Sequence, residues 1–327
     1  MPVDAWPIQL ADVHAACERI RRYIRPSPLR AYAPLDEAVG QGISVLVKHE
    51  NHNPTNSFKA RNALSAMTAL SVEERVRGIV GASRGNHGLG LAWAGRLLGT
   101  PVTVCVPVGN NPEKNAAIRG FGAELIEEGS DYDSSAAVAD QLVRERGMTL
   151  VHSTNNRYVI AGAATMSLEI LEEAPDLDAI VLAIGGGSQA VGALTVCRAL
   201  RAHVRVFGVQ SEGAPAQHDS WLARRPLTTP AATTFADGVA TRSAYDMTFG
   251  ALCDGLAGFV TVSDAEMAEA LRVLLGTTHN LVEGAGAAGL AGLVKLRDEL
   301  AGRRVAIVLS GGNIDAATLE RVVRREV

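Results

Sequence analysis

Lys59 lies in the run Asn53-Pro54-Thr55-Asn56-Ser57-Phe58-Lys59-Ala60-Arg61, where a loop rich in Asn, Pro and Thr gives way to a helical pattern. A helix N-terminus carries unpaired N–H groups and partial positive charge. An amine held there and partly desolvated loses proton affinity and becomes a usable nucleophile. Lysines of this kind form Schiff bases with carbonyl compounds. For any single lysine the plain alternative is a solvated surface residue, and three further motifs bear on that choice.

The first is Ser83-Arg84-Gly85-Asn86-His87-Gly88, after the apolar run Gly78 to Ala82 and before a helical pattern through Leu89, Ala92, Trp93, Arg96 and Leu97. Ser83 suits an N-cap there, and the N–H groups that follow can bind a carboxylate. An ordinary capped loop would read the same way. The second is Gly185-Gly186-Gly187-Ser188-Gln189, between the strand-like Ala179 to Ile184 and a helical stretch from Ala190. Such glycines let backbone N–H groups converge on a phosphate. The spacing is neither that of a dinucleotide fingerprint nor that of a Walker loop, and a tight packing turn is the alternative. The third is Ser310-Gly311-Gly312-Asn313, directly after the strand-like run Arg304 to Leu309. A hydroxyl at the carboxyl end of a parallel strand points into the ligand crevice of an open α/β sheet, although a simple turn would also fit.

The elements that must position these residues alternate. An amphipathic helix opens the chain on Leu10, Val13, Cys17, Ile20 and Ile24. Strands are expected at 43–47, 78–82, 101–106, 123–127, 149–152, 179–184, 204–209 and 304–309. Helices are expected at 86–98, 112–120, 132–146, 158–172, 189–201, 264–276, 284–297 and 315–325, with a less regular Pro- and Thr-rich stretch near 226–234. Repeated βα units predict an α/β fold with parallel sheets and right-handed crossovers.

Together and in this order the motifs resemble the fold-type II pyridoxal phosphate enzymes, and within them the serine/threonine dehydratase family that includes serine racemase. The pattern S-F-K-x-R stands here as Ser57-Phe58-Lys59-Ala60-Arg61, and Ala236-Asp237-Gly238, Glu283-Gly284-Ala285-Gly286 and Ser310-Gly311-Gly312-Asn313 extend the likeness over nearly the whole chain. The resemblance implies two open, twisted, mainly parallel sheets with flanking helices, as in tryptophan synthase β. It implies a large cofactor-binding lobe from residues 1–68 and 157–327, a small lobe from 69–156 inserted between them, and a cofactor, pyridoxal 5'-phosphate, in the cleft. Lys59 would hold that cofactor as a Schiff base. Gly185, Gly186, Gly187 and Ser188 would hold its phosphate, Asn86 its ring hydroxyl and Ser310 its pyridine nitrogen, with Phe58 packed near the ring. The substrate carboxylate would dock on Ser83, Arg84, Gly85, Asn86 and His87. Lys59 and Ser83 are the expected catalytic residues, Lys59 as the base that removes the α-proton. A serine rather than a carboxylate at the ring nitrogen favours β-elimination over transamination.

The activity implied is that of an ammonia-lyase converting a 3-hydroxy amino acid to a 2-oxo acid and ammonia. Relatives of this kind carry a small residue or a serine where this chain has Arg84. Arginine is a poor acid or base, so racemisation is not expected. An arginine can stack on an aryl ring or pair with a second carboxylate, which points to phenylserine or another bulky substrate. Threonine or serine, hydroxyaspartate, and a non-catalytic cofactor-binding homologue are the alternatives. Asn62 stands where a glycine is common, without an interpretation. Gln210 and Ala216 stand where family members with a metal site carry acids, so no metal is expected.

Composition agrees. The chain has 327 residues, 47% hydrophobic and 20% charged, with a net charge of −4. This suits a two-lobed soluble α/β protein and gives no reason to expect nucleic acid or membrane as partner. The partner expected is a small amino acid, with a homodimer as one assembly the sequence allows. No apolar stretch is long enough to span a bilayer, and the N-terminus lacks a signal-peptide pattern. Cys17, Cys105, Cys197 and Cys253 lie far apart and read as the reduced cysteines of a cytoplasmic protein. His49, Glu50 and His52 do not make a zinc set. The chain ends soon after its last helix, so a C-terminal regulatory domain is not expected.

Overall fold

The computed structural model describes residues 6–327. Residues 1–5, part of the expected first lobe segment, lie outside the described residues. In chain order the strands are β1 (Leu29–Ala31), β2 (Ser44–Lys48), β3 (Ile79–Ala82), β4 (Val102–Val106), β5 (Glu124–Glu127), β6 (Thr149–Leu150), β7 (Ala179–Ala183), β8 (Arg205–Ser211), β9 (Gly258–Val262) and β10 (Arg304–Val308). They form two sheets, a six-stranded one in the order β1-β2-β10-β7-β8-β9 and a four-stranded one in the order β5-β4-β3-β6. The β1–β2 pair is antiparallel. All other pairs are parallel.

Both faces of the large sheet are covered, as βαβ crossovers require. Along β7 the side chains alternate between two apolar cores. Ile180 and Leu182 face one, with Leu46, Val206 and Val308. Ala179, Val181 and Ala183 face the other, with Val45, Phe207, Val209 and Ile307. The small sheet repeats the pattern, with Ile79, Val102 and Val104 on one side and Val80, Ala82 and Cys105 on the other.

Each sheet has a point where strand order reverses. In the large sheet the chain leaves β7 toward β8 and β9, whereas β10 sits on its other flank; in the small sheet it leaves β3 toward β4 and β5, whereas β6 sits on the other flank. A crevice opens at the carboxyl ends of strands flanking such a point. The turn 185–188 follows β7, Ser310 follows β10, and the turn 83–87 follows β3.

The expected elements occur, most of them within two residues of their expected ends. The opening helix is Leu10–Ile20 and stops short of Ile24. Several short elements were not expected: β1, β9, and the helices Ala33–Val39, Val72–Val76, Ala216–Ala223 and Asp246–Gly255. Both unexpected strands are sheet edges, where one side is unpaired and the apolar signal is thin. Among the described residues no helix is long and apolar enough to cross a membrane.

Candidate active site

Phe58, Lys59, the turn 83–87, the turn 185–188 and Ser310 all line one cleft of about 440 Å³, a size ordinary for a small-ligand site. The loop before Lys59 is stitched to the end of β10. Ser57 bridges Gly311, and the Phe58 N–H donates to the Ser310 carbonyl at 3.0 Å. Lys59 then begins the helix Lys59–Ala69. Its Nζ lies 3.5 Å from the Ser153 carbonyl and 4.7 Å from the centre of the Phe58 ring. Desolvation lowers its pKa to about 8, against a smaller opposing pull from Glu283. The amine is therefore partly neutral near physiological pH, as a nucleophile or base must be.

Behind this helix is a buried charge cluster. Arg61 donates to Glu50 at 2.8 and 3.0 Å and to Glu169 at 2.5 and 2.9 Å. Lys48 adds a 2.7 Å pair to Glu169. Burial opposes ionisation of Glu50, but Arg61, Ser27 and Lys48 together hold its carboxyl below the usual range. Burial likewise opposes the charge on Arg61, which Glu50 and Glu169 more than restore. Arg61 was legible in the sequence only as part of a motif, and its acidic partners carried no local signal.

Ser83 does not cap the next helix. Gly85 is the N-cap of Asn86–Leu98, with extended backbone (φ −174°) and no capping side chain. Ser83 Oγ instead accepts from the Gly85 N–H at 3.1 Å, closing the turn on itself. His87 is buried, and its Nε2 meets the Val151 carbonyl at 2.8 Å. A carbonyl can only accept, so Nε2 carries the proton. Burial and nearby Lys59 push the ring pKa down to about 3. The imidazole is thus a neutral strut, and what His87 offers a ligand is its backbone N–H in the first helical turn. Asn86 donates from Nδ2 to Glu283 at 2.6 Å and accepts from Asn313 at 2.7 Å. Burial raises the pKa of Glu283, against the pull of Lys114.

Arg84 stands at the rim. Its guanidinium lies 4.0 Å from Asp237, which pairs with Lys114 at 2.7 Å. Five residues after Asp237, Arg242 pairs with Asp133 and, at 3.7 Å, with Asp131. Lys114, Asp131, Asp133 and Asp237 also line the cleft.

The turn 185–188 is a cradle in which side chains would not fit. A Cβ on Gly185 would run into the Gly238 carbonyl and one on Gly186 into Thr154, and Gly187 has φ +96°. The Gly186 carbonyl is drawn away by Thr248 Oγ1 at 2.7 Å and by Gln217 Nε2 at 3.3 Å. Helix Ser188–Leu200 starts at the end of this turn, so the donor set suits a phosphate. Where family members with a metal site carry an acid, Gln210 Oε1 accepts from the N–H groups of Gln217 and His218 at 3.1 and 3.0 Å. Among the described residues no cluster of three or more His, Cys, Asp or Glu is placed to hold a metal ion.

A model of the family described as pyridoxal-phosphate dependent enzyme matches residues 20–311. The chain is 39% identical to the L-threonine ammonia-lyase of Geobacter sulfurreducens, covering 96% of this chain and 77% of that one. It is 30% identical to the catabolic L-threonine dehydratase of Staphylococcus aureus, covering 97% and 92%. Among solved structures, maize serine racemase superposes with a TM-score of 0.92 at 27% identity, covering 98% of each chain.

Proposed function

The chain belongs to the pyridoxal-phosphate dependent enzyme family, and on that premise we propose that it is an ammonia-lyase eliminating water from threonine or serine. The observation that carries the proposal is Lys59, an amine with a pKa of about 8 opening into the cleft that holds the glycine cradle. Relatives named for threonine support the substrate class.

When bound, pyridoxal phosphate supplies an aldehyde for Lys59 and an electron sink for charge at the substrate α-carbon. The backbone N–H groups of Gly186, Gly187 and Ser188 would hold its phosphate, and the Ser310 hydroxyl its ring nitrogen. Asn86 keeps donor capacity beyond Glu283 for the ring oxygen, because a primary amide has two N–H groups. Phe58 would pack by the ring. The first-turn N–H groups after Gly85 would orient the substrate carboxylate, with Ser83 holding the turn. Lys59 would take the α-proton as general base. The proton taken from Cα would return from Lys59 to the Cβ hydroxyl as the Cβ–oxygen bond breaks, so that it leaves as water. Hydrolysis of the released enamine gives the 2-oxo acid and ammonia.

The sequence pointed toward phenylserine or another bulky substrate because of Arg84. That reading is the weaker one. The relatives are named for threonine, and the Arg84 cation already stands near Asp237. Hydroxyaspartate meets the same difficulty. We assign residues 69–156 to a small lobe and the rest to a large lobe, and we propose a cytoplasmic enzyme for which a homodimer is one assembly the sequence allows.

The test is 2-oxo acid and ammonia release from threonine, serine, phenylserine and hydroxyaspartate. Threonine and serine should give the highest kcat/KM. Faster turnover of phenylserine or hydroxyaspartate would overturn the substrate assignment. Cofactor colour without 2-oxo acid from any of the four would mark a binding homologue.

A further inference from the structure

Asn62 is fully buried, at 0% exposure, in the helix that begins with Lys59. Three residues on, it shares the Lys59 face of that helix. Its Nδ2 lies 3.5 Å from Ser188 Oγ, and its Oδ1 has no partner among the described residues. A buried amide with one acceptor unpaired and one donor at the limit of hydrogen-bond reach is costly, and an alanine would avoid that cost without harm to the helix. An amide that acts on the cleft would offset that cost.

Two other amides surround the same turn. Gln189 Nε2 donates to the Ala183 carbonyl and Gln217 Nε2 to the Gly186 carbonyl. Both leave their oxygens unpaired. Asn62 and Gln217 therefore turn N–H groups toward the turn, and Gln189 toward the end of the strand that leads into it. Gln189 and Gln217 meet backbone carbonyls, which only accept. Asn62 meets a hydroxyl, which can rotate. An oxygen that has accepted from Asn62 still has its own proton to give. Ser188 lines the cleft, at the first position of its helix, beside the cradle N–H groups.

We propose that Asn62 is a positioning residue for the cofactor phosphate, occupying an acceptor site of Ser188 so that the serine proton is aimed at the phosphate. The proposal rests on the pyridoxal phosphate reading of the cleft. It gives a role to a side chain where related proteins commonly have none.

The test is binding of pyridoxal phosphate and of pyridoxal, which lacks the phosphate, to the cofactor-stripped full chain, followed by absorbance. Asn62→Ala should weaken pyridoxal phosphate binding roughly tenfold, the scale of one charge-assisted hydrogen bond, and leave pyridoxal binding at the parent level. Ser188→Ala should also weaken phosphate-dependent binding. Adding Asn62→Ala to it should then have little further effect, since the two act through one proton. Equal losses for pyridoxal and pyridoxal phosphate would show a packing role and overturn the proposal. Fully additive losses, or unchanged phosphate-dependent binding in Asn62→Ala, would overturn it too. A parent chain that binds no pyridoxal phosphate would overturn the cofactor reading along with it.

Discussion

Arg61, behind the Lys59 helix, and Arg84, on the cleft lining, are held in opposite ways. Arg61 is 1% exposed, and its guanidinium is shared between two carboxylates and Thr165. Arg84 is 49% exposed and has one carboxylate at 4.0 Å. The floor of the cleft, from Glu50 through the Lys59 helix, is thus set by charges that cannot be left alone. Breaking a buried pair from one side costs about 3–5 kcal/mol, because the partner remains buried and unpaired. The rim, from Arg84 across to Asp237 and Arg242, is set by half-exposed side chains whose attraction water screens, with Lys114 the more buried member. The buried cluster can hold the Lys59 helix in one place, while the rim can change partners without unfolding the protein.

The sharpest test of the floor is Lys59→Ala. It should abolish 2-oxo acid formation, since no other amine is proposed to bond the cofactor; substantial turnover by this variant would remove Lys59 from its role. The substitution also has a signature without cofactor. In the folded chain the Lys59 pKa is about 8, below the ordinary 10.5. Below pH 8 the folded state bears the whole cost of the buried ammonium, and that cost is relieved as pH rises from about 8 to 10.5. Stability of the cofactor-free parent should gain this contribution over that window, and Lys59→Ala should lack it in denaturant titrations at both ends.

Next in size is Arg61→Leu. Leaving Glu50 and Glu169 with Lys48 alone should cost about 3–5 kcal/mol of stability, read as a lower urea midpoint at unchanged slope. A loss below about 1 kcal/mol would make the floor no different from an exposed pair.

The smallest expected effect belongs to the rim. Arg84→Ala should shift stability by less than about 1 kcal/mol and keep activity on threonine and serine. Relative kcat/KM for substrates with a second carboxylate or an aryl group should fall by up to about tenfold. An equal fall on every substrate would mean that Arg84 supports the turn, and the floor–rim distinction would fail there.

Much of the site was legible because its parts are local. Three glycines before a helix, a serine after an apolar run and a lysine at a loop–helix junction each imply a backbone geometry from a few adjacent residues. The same applies to the long buried strands, whose apolar runs announce them, and not to β1 or β9 at the sheet edges. One local inference failed. Ser83 has the right residue type for an N-cap, but its hydroxyl closes a turn on Gly85 and the helix starts later.

What tertiary structure alone decided is the partnership of side chains far apart in the chain. Glu169 reaches Arg61 across 108 positions, Ser188 meets Asn62 across 126, and Glu283 takes Asn86 across 197. His87 looked like a ligand-facing residue, yet its imidazole is spent on Val151 across the small sheet. The sequence by itself determined the order of most strands and turns, the glycine turn before a helix and the lysine at a loop–helix junction. The pKa of that amine, the direction of each amide and the contrast between floor and rim come from desolvation and from charges that meet only when the sheets and helices pack. Short-range patterns do not carry that information, because electrostatic energy depends on distance and burial in space rather than on separation along the chain.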